Sequence, residues 1–133
     1  VGWEMCIRDR LLTSSKDNSH RLWDMRMLRP LQRFKGHQNT SKNFIRCTFA
    51  HPSLIVSGSE DGLVYMWGQE SSLALQTLKG HGTDSHPAAA TVGGRKQVVV
   101  YSAAWNKVQG LLASCADDGT VRLWDWTPPH DAP

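Results

Sequence analysis

Three stretches of the chain share one alternation of apolar and polar positions and align without gaps: 10–24 (RLLTSSKDNSHRLWD), 54–68 (LIVSGSEDGLVYMWG) and 111–125 (LLASCADDGTVRLWD). Each has an apolar pair, a short polar run, an Asp, a turn, and a period-two segment ending on Trp. Period two is the signature of a half-buried strand, and the intervening turn makes each stretch a hairpin. Asp61-Gly62 and Asp118-Gly119 suit that turn because glycine accepts positive φ, and Asn18 tolerates the same conformation in the first copy. Strands are expected near 11–15, 20–24 and 30–34, then near 44–50, 54–58, 63–67 and 73–78, then near 98–105, 111–115 and 120–125. No stretch sustains a helical period, so the fold class is all-β.

The copies are regularly spaced. Trp23 and Trp67 lie 44 positions apart, as do the pairs Gly36-His37 and Gly80-His81. That falls at the roughly 40–45 residues of one repeat built from four strands. With its Gly-His pairs and strand-ending Trp-Asp, the chain resembles the WD-repeat family over residues 11 to 126. Trp67-Gly68 departs from the pattern at its last position. The resemblance implies a β-propeller fragment of about three consecutive blades: a partial one at 11–35, a complete one at 36–79, and a last one at 80–126. Trp124 follows Trp67 by 57 positions, and the excess of 13 falls in 82–97, expected to be a mobile surface loop. Residues 1–10 stand where an inner strand belongs and read as a non-native or divergent leader. Residues 127–133 form a tail whose Pro128-Pro129 cannot continue a ladder. Propellers of this family close by lending an N-terminal segment as the missing outer strand. The chain is therefore expected to be the C-terminal blades of a longer propeller, with the remaining blades missing and the isolated fragment folding poorly.

The same resemblance implies a hydrogen-bonded tetrad of His, Ser/Thr, Asp and Trp in each blade. By alignment the tetrads are His37, Ser57, Asp61, Trp67 and His81, Ser114, Asp118, Trp124, with Ser57 preferred over Ser59 on the family's register. A buried indole N–H, hydroxyl and imidazole each need a partner, which gives the tetrad its physical reason. Ser, His and Asp are also the members of a hydrolytic triad. Against that reading, the trio occurs twice, always with a Trp, and no Gly-x-Ser-x-Gly elbow accompanies it. The expectation is no enzyme, no catalytic residues and no cofactor.

Composition narrows the rest. Of 133 residues 40% are hydrophobic and 20% charged, and no apolar run approaches the ~20 residues of a membrane span. The three cysteines are an odd number without metal-type spacing, which suggests a reducing compartment, cytoplasm or nucleus. His81, Asp84 and His86 are too few for a closed zinc site once His81 is used in a tetrad, so no metal is expected. Lys16, Glu60 and Asp117 are expected at the propeller rim, where proteins of this family receive peptides. Trp23-Asp24-Met25-Arg26 resembles the signature of substrate receptors of cullin-RING ubiquitin ligases, with Arg26 as the contact. Six basic residues and no acid lie between Met25 and Ser59, so the stretch 26–46 offers a nucleic-acid alternative. The leading expectation is a scaffold or adaptor whose partners are other proteins or peptides.

Overall fold

The computed structural model describes residues 10–40, 43–51, 53–81, 91–92, 95–96 and 98–125. Among these, every regular element is a strand. The first sheet holds β1 (Arg10–Ser15), β2 (Ser19–Asp24) and β3 (Arg29–Phe34). The second holds β4 (Cys47–Phe49), β5 (Leu54–Ser57), β6 (Val64–Gly68) and β7 (Gln76–Leu78). After the short pair β8 (Thr91–Val92) and β9 (Arg95–Lys96) comes a third sheet of β10 (Val100–Asn106), β11 (Leu111–Ala116) and β12 (Val121–Asp125). All pairings are antiparallel between sequence neighbours.

The aligned hairpins adopt one geometry. The turns place Asn18 at φ 64°, Gly62 at 85° and Gly119 at 79°, the left-handed region that Asn and Gly reach at least cost. In each turn the Asp does the same work: Asp17, Asp61 and Asp118 accept through Oδ1 the backbone N–H two residues on, at 3.1, 3.1 and 3.0 Å. That bond closes the turn and sets the register of the strands around it.

The sheets stack face to face, and the period-two pattern decides what each face meets. Val56, Val64 and Met66 of the middle sheet pack on Val100, Ala103 and Leu112 of the third. The alternate residues Ile55, Tyr65 and Trp67 pack on Leu22 and Phe34 of the first. With both faces covered, residues 54–60 and 64–67 are buried without interruption. Leu22, Met66 and Leu123 occupy the same place in their repeats. The first two are 1% and 4% exposed, and Leu123, on the open face of the third sheet, is 70% exposed.

Two strands are shorter than the sequence pattern suggests. Residues 44–46 and 73–75 continue the apolar pattern but lie outside β4 and β7. Near β4 the backbone bonds sideways instead, Ile45 accepting from the Ser14 hydroxyl at 2.8 Å and Arg46 donating to the Tyr101 carbonyl at 2.9 Å. Those bonds tie the three sheets together near the inner strand. The stretch expected as a mobile surface loop, 82–97, contains the β8–β9 pair; residues 82–90, 93–94 and 97 lie outside the described residues. So do residues 1–9 and 126–133, which take in the expected tail 127–133 and all of the expected leader 1–10 except Arg10, the first residue of β1.

Candidate functional site

The residues expected to form two equivalent tetrads form two different networks. In the third sheet, Ser114 of β11 and Trp124 of β12 face the middle sheet, and His81 arrives from the connection after β7. The Trp124 indole N–H donates to Ser114 Oγ at 2.8 Å, and Ser114 Oγ lies 2.7 Å from His81 Nε2. His81 Nδ1 stands 3.2 Å from both Asp118 Oδ2 and Thr120 Oγ1. Donor counting fixes the order: Trp to Ser, Ser to His, His to Asp, with each buried polar atom satisfied by the next. Thr120, which the sequence pattern did not single out, also donates its hydroxyl to Asp118 Oδ1 at 2.6 Å.

Between the first and second sheets the expected set of His37, Ser57, Asp61 and Trp67 does not close, and three competitors explain why. His20 of β2 reaches across and places Nε2 2.7 Å from Ser57 Oγ. The Ser57 hydroxyl donates to the Gly58 carbonyl at 2.8 Å, so His20 is the donor to Ser57. Asp61 Oδ2 is taken by the Tyr65 hydroxyl at 2.6 Å, and the Trp67 indole donates to the Lys35 carbonyl at 2.9 Å. His37 stays buried, its ring stacked on His20 with centroids 4.0 Å apart and planes 10° apart. Among the described residues neither nitrogen of His37 has a hydrogen-bond partner. Trp67 stands edge-on to both rings, 5.7 Å from His20 and 5.4 Å from His37.

Burial dominates the electrostatics of this pair. It lowers His20 from the usual 6.5 to about 3, with the neighbouring His37 adding to the effect and Asp17 opposing it. It lowers His37 to about 4, against the pull of Asp61 and Asp17. Burial raises the Cys47 thiol to about 12, which removes it as a nucleophile. Tyr65 is raised by burial and by its bond to Asp61. In the first sheet Asp17 is lowered chiefly by the hydroxyl of Ser19 and pairs with Arg21 at 3.5 Å. There Trp23 donates to Thr13 Oγ1 at 2.8 Å, the same Trp-to-hydroxyl bond seen in the third sheet.

A repeated hairpin, a repeated turn Asp, and an indole-to-hydroxyl bond in two of three sheets are family marks, and sequence comparison agrees. The family model for the WD40 repeat (WD domain, G-beta repeat) matches residues 28–68 and 88–125. The chain belongs to the WD40-repeat family. Each matched WD40 segment ends with the third strand of a sheet, β6 or β12, and the first begins one residue before β3 of the preceding sheet. Among curated relatives it is 36% identical over 114 residues to the WD repeat-containing protein WDS homolog of Arabidopsis thaliana, covering 82% of this chain and 18% of that protein. It is 32% identical over 120 residues to the WD repeat-containing protein 26 homolog of Drosophila melanogaster, covering 89% and 16%. It is 27% identical over 115 residues to the E3 ubiquitin-protein ligase COP1 of Pisum sativum, covering 86% and 16%. The chain thus spans less than a fifth of the length of these WD40 relatives.

The candidate contact residues separate. Lys16 lies exposed at the β1–β2 turn, its ammonium 4.7 Å above the Phe44 ring. Phe44 is 78% exposed. Beside them a cleft of about 250 Å³ is lined by Lys16, Asn39, Asn43, Phe44 and Arg46. Glu60, expected at the rim, is 2% exposed. Its backbone N–H donates to the Gln38 carbonyl, and the Ser59–Val100 bridge beside it closes the surface over the turn. Asp117 is half-buried and caps the Val99 N–H at 2.8 Å. Arg26 is exposed in the β2–β3 turn, where Asp24 accepts its backbone N–H at 2.9 Å. The basic stretch is divided: Arg29 and Arg33 lie on the outer strand β3, and Arg46 precedes the inner strand β4. Lys42, Asp84 and His86 lie outside the described residues.

Proposed function

We propose that the chain is a non-enzymatic protein-interaction module that binds its partners at the end of the stacked sheets carrying Lys16. The WD40 family supports the coarse reading, because its repeats bind other proteins. The observation that carries the finer one is the exposed Phe44 with Lys16 over its ring and Arg46 beside it. An exposed aromatic flanked by cations and free of acids in its cleft suits an acidic peptide with an apolar anchor. The only Ser–His–Asp chain among the described residues is unsuited to hydrolysis. Ser114 is 2% exposed and its Oγ is already engaged by Trp124 and His81. The module is placed in the cytoplasm or nucleus on the strength of its cysteine usage.

The test is partner capture from cells by the wild-type protein and by Lys16→Glu/Arg46→Glu, each quantified by mass spectrometry. Loss of a defined set of partners, with circular dichroism unchanged, supports the assignment; an identical set for both proteins sinks it. A second reading, substrate receptor of a ubiquitin ligase, is favoured by the exposure of Arg26 after Trp23-Asp24 and by likeness to a relative named as an E3 ligase. Arg26→Ala, made in the full-length protein, abolishes adaptor capture on that reading and leaves it untouched on the first.

A further inference from the structure

Two hairpin turns of the chain are built alike. Asp24 pairs with Arg29 across the loop 25–28 between β2 and β3, and Asn106 pairs with Leu111 across the loop 107–110 between β10 and β11. Asp24 Oδ1 accepts the N–H groups of Arg26 and Met27 at 2.9 and 3.2 Å. Asn106 Oδ1 accepts those of Val108 and Gln109 at 3.0 and 3.3 Å. The fourth loop residue is left-handed in both, Gly110 at φ 67° and Leu28 at φ 51°. Glycine takes that conformation freely, whereas a residue with a Cβ takes it against a steric penalty. Burial does not offset the penalty, because Leu28 is 81% exposed. Folding alone favours glycine at position 28.

Leu28 has company. Met27 is 63% and Met25 47% exposed, so three of the four loop residues hold apolar side chains in water. The other loop residue is Arg26, and Arg29 follows the loop; both are exposed. A strained, exposed leucine beside two adaptable thioethers and two guanidinium groups suits a partner surface that is apolar with acidic margins. The N–H groups of Arg26 and Met27 are taken by Asp24, so the loop recognises through side chains, in the manner of a seated amphipathic helix, and not by adding a strand. We propose that the β2–β3 turn is a second docking surface, which takes the apolar face of an acidic amphipathic helix on a partner protein. It lies at the opposite end of β2 from the turn that carries Lys16, so it stands or falls apart from that cleft.

The experiment labels the 133-residue chain with ¹³C at its methionine methyl groups and titrates it with a peptide of two tandem Glu-Leu-Leu-Glu-Glu-Leu-Glu heptads. The controls are the same peptide with Lys for every Glu, and vesicles of phosphatidylserine. The expected result is saturable movement of the Met25 and Met27 signals with the buried Met66 still, and affinity for the Lys peptide lower by about tenfold. Leu28→Gly is expected to move stability and binding in opposite directions. Relief of the backbone raises Tm by about 3 °C, and loss of the apolar anchor weakens the acidic peptide about tenfold. Leu28→Met is expected to retain the affinity. A Leu28→Gly protein that binds as well as wild type or melts lower, equal binding of the Lys peptide, or Met25 and Met27 signals that answer to vesicles and not to the peptide would each overturn the proposal. Should Leu28→Gly leave binding intact while Lys16→Glu/Arg46→Glu abolishes it, the turn is refuted and the Lys16 surface stands.

Discussion

Lowering the pH from 7.5 to 5.5 is expected to cost the fold about 3 kcal/mol through two residues, His20 and His37. In the unfolded chain each imidazole titrates near 6.5. In the folded chain burial holds them neutral down to about 3 and about 4. Between those limits the unfolded state binds more protons, so stability is full above 6.5 and falls as the pH drops towards 4. One unit below 6.5 each histidine contributes about 1.4 kcal/mol of loss. That figure depends on the ordinary value and hardly on the lowered one, because neither folded imidazole is protonated at pH 5.5. The charged or titratable groups set against the pair are Asp17, Asp61 and Tyr65, and Cys47 packs on the apolar cluster that holds Tyr65 and Trp67. Asp17 is lowered, so its own contribution is lost only below the usual carboxylate range; Tyr65 and Cys47 are raised and titrate far above neutrality. The assay is urea unfolding followed by Trp fluorescence at pH 7.5, 6.5 and 5.5. His20→Val installs the residue found at the aligned positions 64 and 121 and is expected to halve the pH dependence. His20→Val with His37→Phe is expected to remove nearly all of it. A double variant whose midpoint still falls by the full amount would show that the stacked pair is not the source.

Three further outcomes follow from packing and bonding. Ser114→Ala strands the Trp124 indole N–H and His81 Nε2 and is expected to cost about 2–4 kcal/mol, measured by urea midpoint. Met66→Ala is expected to cost about 2–5 kcal/mol and Leu123→Ala under about 0.5 kcal/mol, although the two residues are aligned, because only Met66 has a sheet over it. In Gly58→Ala the new Cβ would lie 2.0 Å from the Val100 carbonyl oxygen, so a loss of about 3 kcal/mol or more is expected in thermal unfolding; a change below 1 kcal/mol would show that β10 can shift away.

Strand positions were legible because period two and the turn Asp act locally, and local rules need no knowledge of neighbours. Where a side chain's partner lies on another sheet, the pattern was read less completely. His20 is the instructive residue. It sits in the repeat where Val64 and Val121 sit, and a polar residue at an apolar place was the available signal that something across the interface would bond it. Leu63 was another such signal, since its counterparts Ser19 and Thr120 both donate a hydroxyl to their turn Asp. Lacking that hydroxyl, Asp61 is held from Tyr65 instead. Glu60 was misplaced for a simpler reason: turns are usually exposed, and this one is covered by residues from 38 and 100 that the strand pattern does not bring near it.

The three turn aspartates explain how one repeat supports such different interiors. Folding asks each for a single oxygen, the one that takes the N–H two residues on and closes the hairpin. The other oxygen is not needed for the turn, so whichever side chain reaches it first decides its use. Four residues on stand Arg21 and Tyr65, and both take it, by a salt bridge in the first sheet and a phenolic hydrogen bond in the second. In the third it is His81, delivered from outside the hairpin, and only there does the bond run on through Ser114 to Trp124. A hairpin can thus keep its turn while changing what its buried face is bonded to, and the choice is passed to the neighbouring sheet. When Tyr65 takes Asp61, His37 loses that carboxylate and lies against His20 instead. The acid sensitivity expected of this chain is therefore a property of the interface between two repeats, set by one phenol and one histidine, and neither repeat would show it alone.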